Sequence, residues 1–155
     1  MPPELTTFLI SMTPVGELRA GIPWGITIGG VYPCAAFIWA VLGNIFAAIL
    51  VILLLEPLSH FARRHAPVFD RLLQRIFNHT RKTHSRSFER FEEILLILIV
   101  AVPLPGSGAY TGALVAWLFG VKTKVAIALI SLGIIIAGLI VLGLTTGALA
   151  FAKSF

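Results

Sequence analysis

Glu17 and Arg19 are the residues of this sequence best placed to do chemistry. They stand two apart in an apolar stretch, TPVGELRAGIPWGITIG (Thr13–Gly29), that Pro14, Gly16, Gly21, Pro23 and Gly25 interrupt. Charges in such surroundings are costly to bury and mark ion, proton or ligand pathways. Arg19 offers a forked, permanently charged donor suited to a phosphate. Desolvation favours the neutral form of Glu17 and Arg19 favours its charged form, which makes Glu17 a candidate proton carrier. The competing role for the pair is structural, with Arg19 bonded to Glu17 or to nearby carbonyls and only tying segments together.

A second broken stretch, PLPGSGAYTGALVAWLFG (Pro103–Gly120), carries the same punctuation. A shift of 91 positions lays Pro14 on Pro105, Gly21 on Gly112 and Gly29 on Gly120. Two Gly/Pro-interrupted apolar segments at corresponding places in two halves point to a transporter's binding site. Gly106, Ser107 and Gly108 precede a half-helix whose free N–H groups and positive dipole end favour an anion. The predicted substrate-binding set is therefore Arg19, Gly106, Ser107, Gly108, Tyr110 and Thr111, with Glu17 as the proton-coupling group. Pro14, Gly21, Pro23, Pro103, Pro105 and Gly112 shape the two breaks. Trp24 and Trp117 either line the cavity between them or serve as packing and interfacial anchors.

The elements that must position these residues are membrane elements. The chain has 155 residues, 57% of them hydrophobic and 12% charged, with a mean hydropathy of +0.95, too apolar for an ordinary soluble domain. The N-terminus lacks a basic region and a small-residue cleavage site, so it is expected to be retained. Cys34, the single cysteine, has no partner for an internal disulfide and reads as a small buried hydrophobe. From His60 to Arg90 eight basic residues face only Asp70 and Glu89. That clustering is topological and does not point to nucleic acid: a short basic loop stays cytoplasmic. Within it Phe69, Leu72, Leu73, Ile76 and Phe77 recur at helical spacing, so an amphipathic helix on the inner membrane surface is expected, with a solvated connector to a partner subunit as the alternative. His60, His65, His79 and His84 fall in two pairs spaced by five, which does not share a face as an i, i+4 metal pair does. No metal site and no cofactor are expected.

Leu5–Met12 and Leu18–Ile28 are arms of about ten residues, each roughly half of a ~30 Å hydrocarbon core. They suit a re-entrant hairpin, and a single kinked spanning helix is the competing arrangement. An apolar run of 22 residues, Cys34–Leu55, then spans the membrane between Pro33 and Glu56-Pro57. Its one strongly polar side chain, Asn44, either contacts the hairpin or makes an interhelical hydrogen bond. In the second half Lys122 and Lys124 would face outward if residues 94–119 crossed once, whereas a hairpin returns them to the cytoplasm. The final helix carries Gly143 and Gly147 in GxxxG spacing, which suits close helix approach.

The expected fold is thus all-α and integral to the membrane, with two inverted-topology repeats joined by a cytoplasmic amphipathic helix. One domain covers 1–155: a first repeat 1–57 (hairpin 5–29, transmembrane helix 33–56), a basic linker 58–91, and a second repeat 92–155 (hairpin 94–120, transmembrane helix 125–151). The expected location is the cytoplasmic membrane, multi-pass. So few spans enclose little volume, so a homodimer or higher oligomer through the final helix is expected.

At GELRAGIP (Gly16–Pro23) and PLPGSGAYTGAL (Pro103–Leu114) the chain resembles the small multidrug export protein family, itself thought to be related to the DedA and VTT membrane proteins. The resemblance covers most of the chain. The family's first motif often reads SELRGAIP, whereas here Gly16 precedes Glu17 and Ala20-Gly21 follows Arg19. The DedA relationship implies transport of polyprenyl-phosphate lipid carriers coupled to the proton gradient, with an acidic residue and arginines in the re-entrant regions, to which Glu17 and Arg19 correspond in type. Tyr110 falls at the position matching Arg19, so a two-arginine phosphate clamp does not carry over.

The first functional expectation is a transporter or flippase for an anionic, phosphate-bearing lipid. Efflux of hydrophobic cationic drugs is the second, with Glu17 as its one available acid and Arg19 already beside it. A non-transporting scaffold is a third. Enzymatic activity is not expected, since the sequence has no HExxH, no GxSxG and no histidine placed in the membrane for base work.

Overall fold

The computed structural model describes residues 1–65, 86–102 and 108–154. Within them the chain forms six helices: α1 (Pro3–Ser11), α2 (Glu17–Thr27), α3 (Pro33–His65), α4 (Arg86–Ala101), α5 (Ala109–Leu118) and α6 (Thr123–Ala152). The amphipathic segment Phe69–Phe77, His79 and His84, and the break residues Pro103, Pro105, Gly106 and Ser107 lie outside the described residues.

Two helices are long and apolar enough to cross a membrane, α3 over Pro33–Leu55 and α6 over Thr123–Ala152. Both turn large apolar side chains outward, including Ile38, Leu42, Phe46 and Leu53 on α3 and Leu139 and Leu144 on α6. A water-soluble domain buries such residues against its core; a bilayer solvates them. α3 continues beyond Glu56-Pro57, where the sequence suggested its end, as far as His65. Proline removes one backbone donor and bends a helix but keeps a helical φ, so a proline late in a long helix does not have to end it. α4 likewise begins at Arg86, ahead of residue 94 where the second hairpin was expected to start, and Cys34, expected to be buried, is exposed at the start of α3.

α1 and α2 are short because Pro14 and Gly16 break the chain between them, and they pack side by side in opposite directions. Pro3, Thr7 and Ser11 lie against Gly29, Gly25 and Gly21 in turn. Thr7 and Ser11 are fully buried, and each hydroxyl donates within its own helix, to the Pro3 and Thr7 carbonyls at 2.9 Å. Their polar groups are therefore satisfied in a place where water is excluded, and their small size lets the helices meet. α3 closes over α1 where Gly43 meets the Phe8 backbone, with the Phe8 ring between Trp39 and Phe46 at centroid distances of 6.4 and 6.1 Å.

The remaining contacts join the two sets of helices. α3 packs on α5 and α6, α2 on α6, and α4 on α5 and α6. The core is built from Leu18, Ile22, Leu96, Val100, Ile130 and Ile134 together with many alanines, among them Ala40, Ala48, Ala113 and Ala137. Small side chains compensate for the weak hydrophobic drive between helices in lipid by allowing dense van der Waals contact.

Gly43 provides a test of this packing. A Cβ there would lie 2.3 Å from the Phe8 carbonyl oxygen, a backbone atom that cannot swing away. Gly43→Ala is expected to lower stability by about 1–3 kcal/mol, read as a lower unfolding midpoint in detergent. An unchanged midpoint would contradict the α1–α3 contact.

Candidate functional site

Glu17 opens α2 with a left-handed φ of 48°, the only non-glycine residue among those described with positive φ. A carboxylate-bearing side chain held in that region costs about 1 kcal/mol or more and persists only where its surroundings fix it. The fixing group is the start of α5. Glu17 is 7% exposed, and its carboxylate accepts hydrogen bonds from the backbone N–H groups of Ala109 and Tyr110. These are first-turn donors of α5 that no carbonyl of that helix can satisfy. A carboxylate from one half of the chain thus caps a helix of the other, at the end where the helix dipole favours negative charge.

Gly108 makes the approach possible. It precedes α5 at φ 136°, and a Cβ there would stand 2.2 Å from Glu17 Oε2 and 2.6 Å from Oε1. Any other residue would be strained in its backbone and would expel the carboxylate. Tyr110 adds a second tie: its hydroxyl donates to the carbonyl of Met12, which caps the end of α1. One turn of α5 therefore grips both the end of α1 and the beginning of α2. Arg19, half-buried one position beyond Leu18, contributes the positive charge that acts on Glu17.

Of the residues singled out from the sequence, Glu17, Arg19, Gly108 and Tyr110 come together here. Thr111 follows on α5, half-buried and engaged in an interaction of its own. Gly21 and Gly112 serve packing, the first against Ser11 of α1 and the second against Val100 of α4. Pro14 lies in the exposed turn between α1 and α2, and Pro23 lies inside α2. Among the described residues no cluster of three His, Cys, Asp or Glu side chains could hold a metal ion.

Sequence reasoning treated Glu17 and the α5 N-terminus as separate groups; the structure joins them. It also missed the Met12 carbonyl and the cradle at Gly108. The one available signal for the cradle was a glycine directly before a helix start, in the N-cap position where Ser, Thr, Asp or Asn usually supplies the capping oxygen. With glycine there, another segment has to provide it.

A family model described as "Putative small multi-drug export protein" matches residues 17–140. The chain belongs to this family. The match begins at Glu17 and takes in the α5 start and most of α6, so the whole described site lies within it apart from Met12. No curated protein and no solved structure matches the chain. Family membership and the two long apolar helices together make this a membrane protein.

The Tyr110 hydroxyl can be removed without touching the backbone donors. Tyr110→Phe is expected to cost about 1 kcal/mol for the lost hydrogen bond, and up to about 3 if the Met12 carbonyl is left unsatisfied. A lowered unfolding midpoint in detergent is the expected reading, and an unchanged one contradicts the tie between α5 and α1.

Proposed function

We propose that this protein transports a phosphate-bearing amphiphile, such as a polyprenyl phosphate, and that Glu17 is the resident anion of its binding site. One observation carries the reading: the α5 amides already hold a carboxylate, in a buried place and with an arginine beside it. Donors that coordinate a carboxylate suit a phosphate oxygen equally well. Protonation of Glu17 removes the charge that keeps it on the Ala109 and Tyr110 N–H groups, which then pass to the incoming anion together with Arg19. Release of the proton restores the carboxylate and expels the ligand. Proton and anion occupancy are linked because they compete for one set of donors.

The architecture in which this takes place is, in our reading, a pair of inverted repeats, each a re-entrant hairpin followed by a spanning helix. Exchanging α1, α2 and α3 with α4, α5 and α6 maps every helix contact onto another that is present, including α3 on α5 with α6 on α2. Gly30 and Gly120, 90 positions apart, both follow the second short helix with φ of 65° and 69°. Gly43 meets α1 at Phe8 as Gly133 meets α4 at Val100. Three of the four hairpin helices, α1, α2 and α5, have 9, 11 and 10 residues, about half of a bilayer's ~30 Å core at 1.5 Å per residue; α4 is longer, with 16 residues. The basic linker lies in the cytoplasm by the positive-inside rule. Two copies associate through Gly143 and Gly147, where an added Cβ would meet only open space among the described residues.

Export of hydrophobic cations is the second reading, favoured by the family's description. A cation would need the Glu17 carboxylate, which two amides already hold and on which the positive charge of Arg19 acts.

Binding separates the two. Native mass spectrometry of the purified protein is expected to show a polyprenyl phosphate held in preference to its uncharged alcohol. Arg19→Ala should weaken that preference about 10–100-fold, the worth of a charge-assisted hydrogen bond of about 1.5–3 kcal/mol. Equal binding of phosphate and alcohol contradicts the anion site, and tight binding of a lipophilic cation lost in Glu17→Gln would establish the second reading.

A further inference from the structure

Asn44 is a buried polar residue of α3 whose role the site described above leaves open. It is 1% exposed, and its side-chain oxygen Oδ1 accepts no hydrogen bond from the described residues. The other buried polar side chains, Thr7, Ser11 and Glu17, all have partners. An orphaned carbonyl in a dry interior carries a desolvation cost that a leucine or alanine at the same position would not. Such groups call for a reason, and a functional role is one of them.

The location indicates which partner. α3 leaves the turn after α2 and runs back along it, with Ala36 against Gly25. Glu17 lies eight residues before Gly25 and Asn44 eight residues after Ala36. Two helices running antiparallel from that contact bring Glu17 and Asn44 to within about one turn, ~5 Å, in height. α3 also packs on α5, whose first turn holds the Glu17 carboxylate. The charged or titratable groups acting on Glu17 are Arg19 of its own helix and Tyr110 of α5. Leu5–Met12, Pro33–Leu55 and Val125–Ala152 contain no charged residue; the charged groups of α1, α3 and α6 are confined to helix ends, at Glu4, from Glu56 on, and at Lys124. Along those spans the three helices offer Glu17 only neutral groups, and among the described residues Asn44 has the unused buried side-chain acceptor.

We propose that Asn44 Oδ1 is the acceptor for the protonated carboxyl of Glu17 when that group leaves the α5 amides. This rests on the exchange proposed above and gives it a second resting place. In one state the carboxylate accepts from the Ala109 and Tyr110 N–H groups and Asn44 Oδ1 has no donor among the described residues. In the other, a proton taken from water sits on Glu17, its O–H donates to Asn44 Oδ1, and the two amides are open to an anion. A carboxylic acid in a low-dielectric interior needs an acceptor for its proton, or it pays the same desolvation cost that the orphaned amide pays in the first state. Each arrangement leaves one side unsatisfied, which keeps the two states close in free energy and the site able to switch.

Infrared spectroscopy of the full-length protein in lipid vesicles tests this without altering Asn44. The chain has two asparagines, Asn44 and Asn78, so in an Asn78→Gln background asparagine carrying 13C at the side-chain carbonyl reports Asn44 alone. On acidification a carboxylic acid band is expected to rise, and the labelled amide carbonyl band to shift to lower wavenumber with the same midpoint. Both changes should vanish in Glu17→Gln. An acid band that depends on Glu17 with no shift of the labelled amide overturns the role of Asn44 and leaves the exchange standing. Absence of any acid band from Glu17 overturns the exchange, and the role of Asn44 with it.

Discussion

The capping of α5 by the carboxylate of Glu17 is the interaction on which the rest of the site depends. In water such a cap is worth about 1 kcal/mol. Buried as it is here, its importance is greater, because the alternative is a charge and two amide donors with no water to receive them. It also joins residues from opposite halves of the chain. Glu17 begins α2, Ala109 and Tyr110 begin α5, and Tyr110 reaches on to the end of α1 at Met12. The ends of three short helices are thereby fixed at one point, and the positive φ of Glu17 is held by what its side chain binds.

Short helices that stop inside the protein require dense packing around them, and the composition supplies it. Gly21, Gly25 and Gly29 let α2 lie against Ser11, Thr7 and Pro3, and Gly43 lets α3 lie against the α1 backbone. The hydroxyls of Thr7 and Ser11 are turned onto their own helix. Hydrophobic burial does little to drive such contacts in lipid, so complementarity of small surfaces carries them. Large side chains are left for the outside of α3 and α6, where lipid receives them.

Much of this was legible from residue types. The breaks at Pro14 and Gly16, the apolar runs after Pro33 and after Lys122, and the isolation of Glu17 and Arg19 in apolar sequence all correspond to features of the fold. The pairing of Glu17 with the α5 amides was not, since Glu17 and Gly108 are 91 residues apart and periodicity does not say which helix end a carboxylate will cap. Gly43 was passed over because a glycine in an apolar run carries no sign of the backbone it will meet. Asn44 was read as a contact with the hairpin or as an interhelical bond; its amide oxygen has no donor among the described residues. The end of α3 was placed at Pro57 on the strength of a breaker that a long helix tolerates.

The most direct measurement is a double-mutant cycle on the contact between Glu17 and Gly108, followed by denaturant-induced unfolding in micelles. Gly108→Ala alone introduces a Cβ at 2.2 Å from the carboxylate oxygen as well as strain at φ 136°. In a Glu17→Ala background only the strain remains. If the carboxylate sits on the α5 start, the double variant should be more stable than the sum of the two single losses allows, with a coupling of about 1–3 kcal/mol. Strict additivity would mean that Glu17 and Gly108 are not in contact, and both the cap and the exchange built on it would fall.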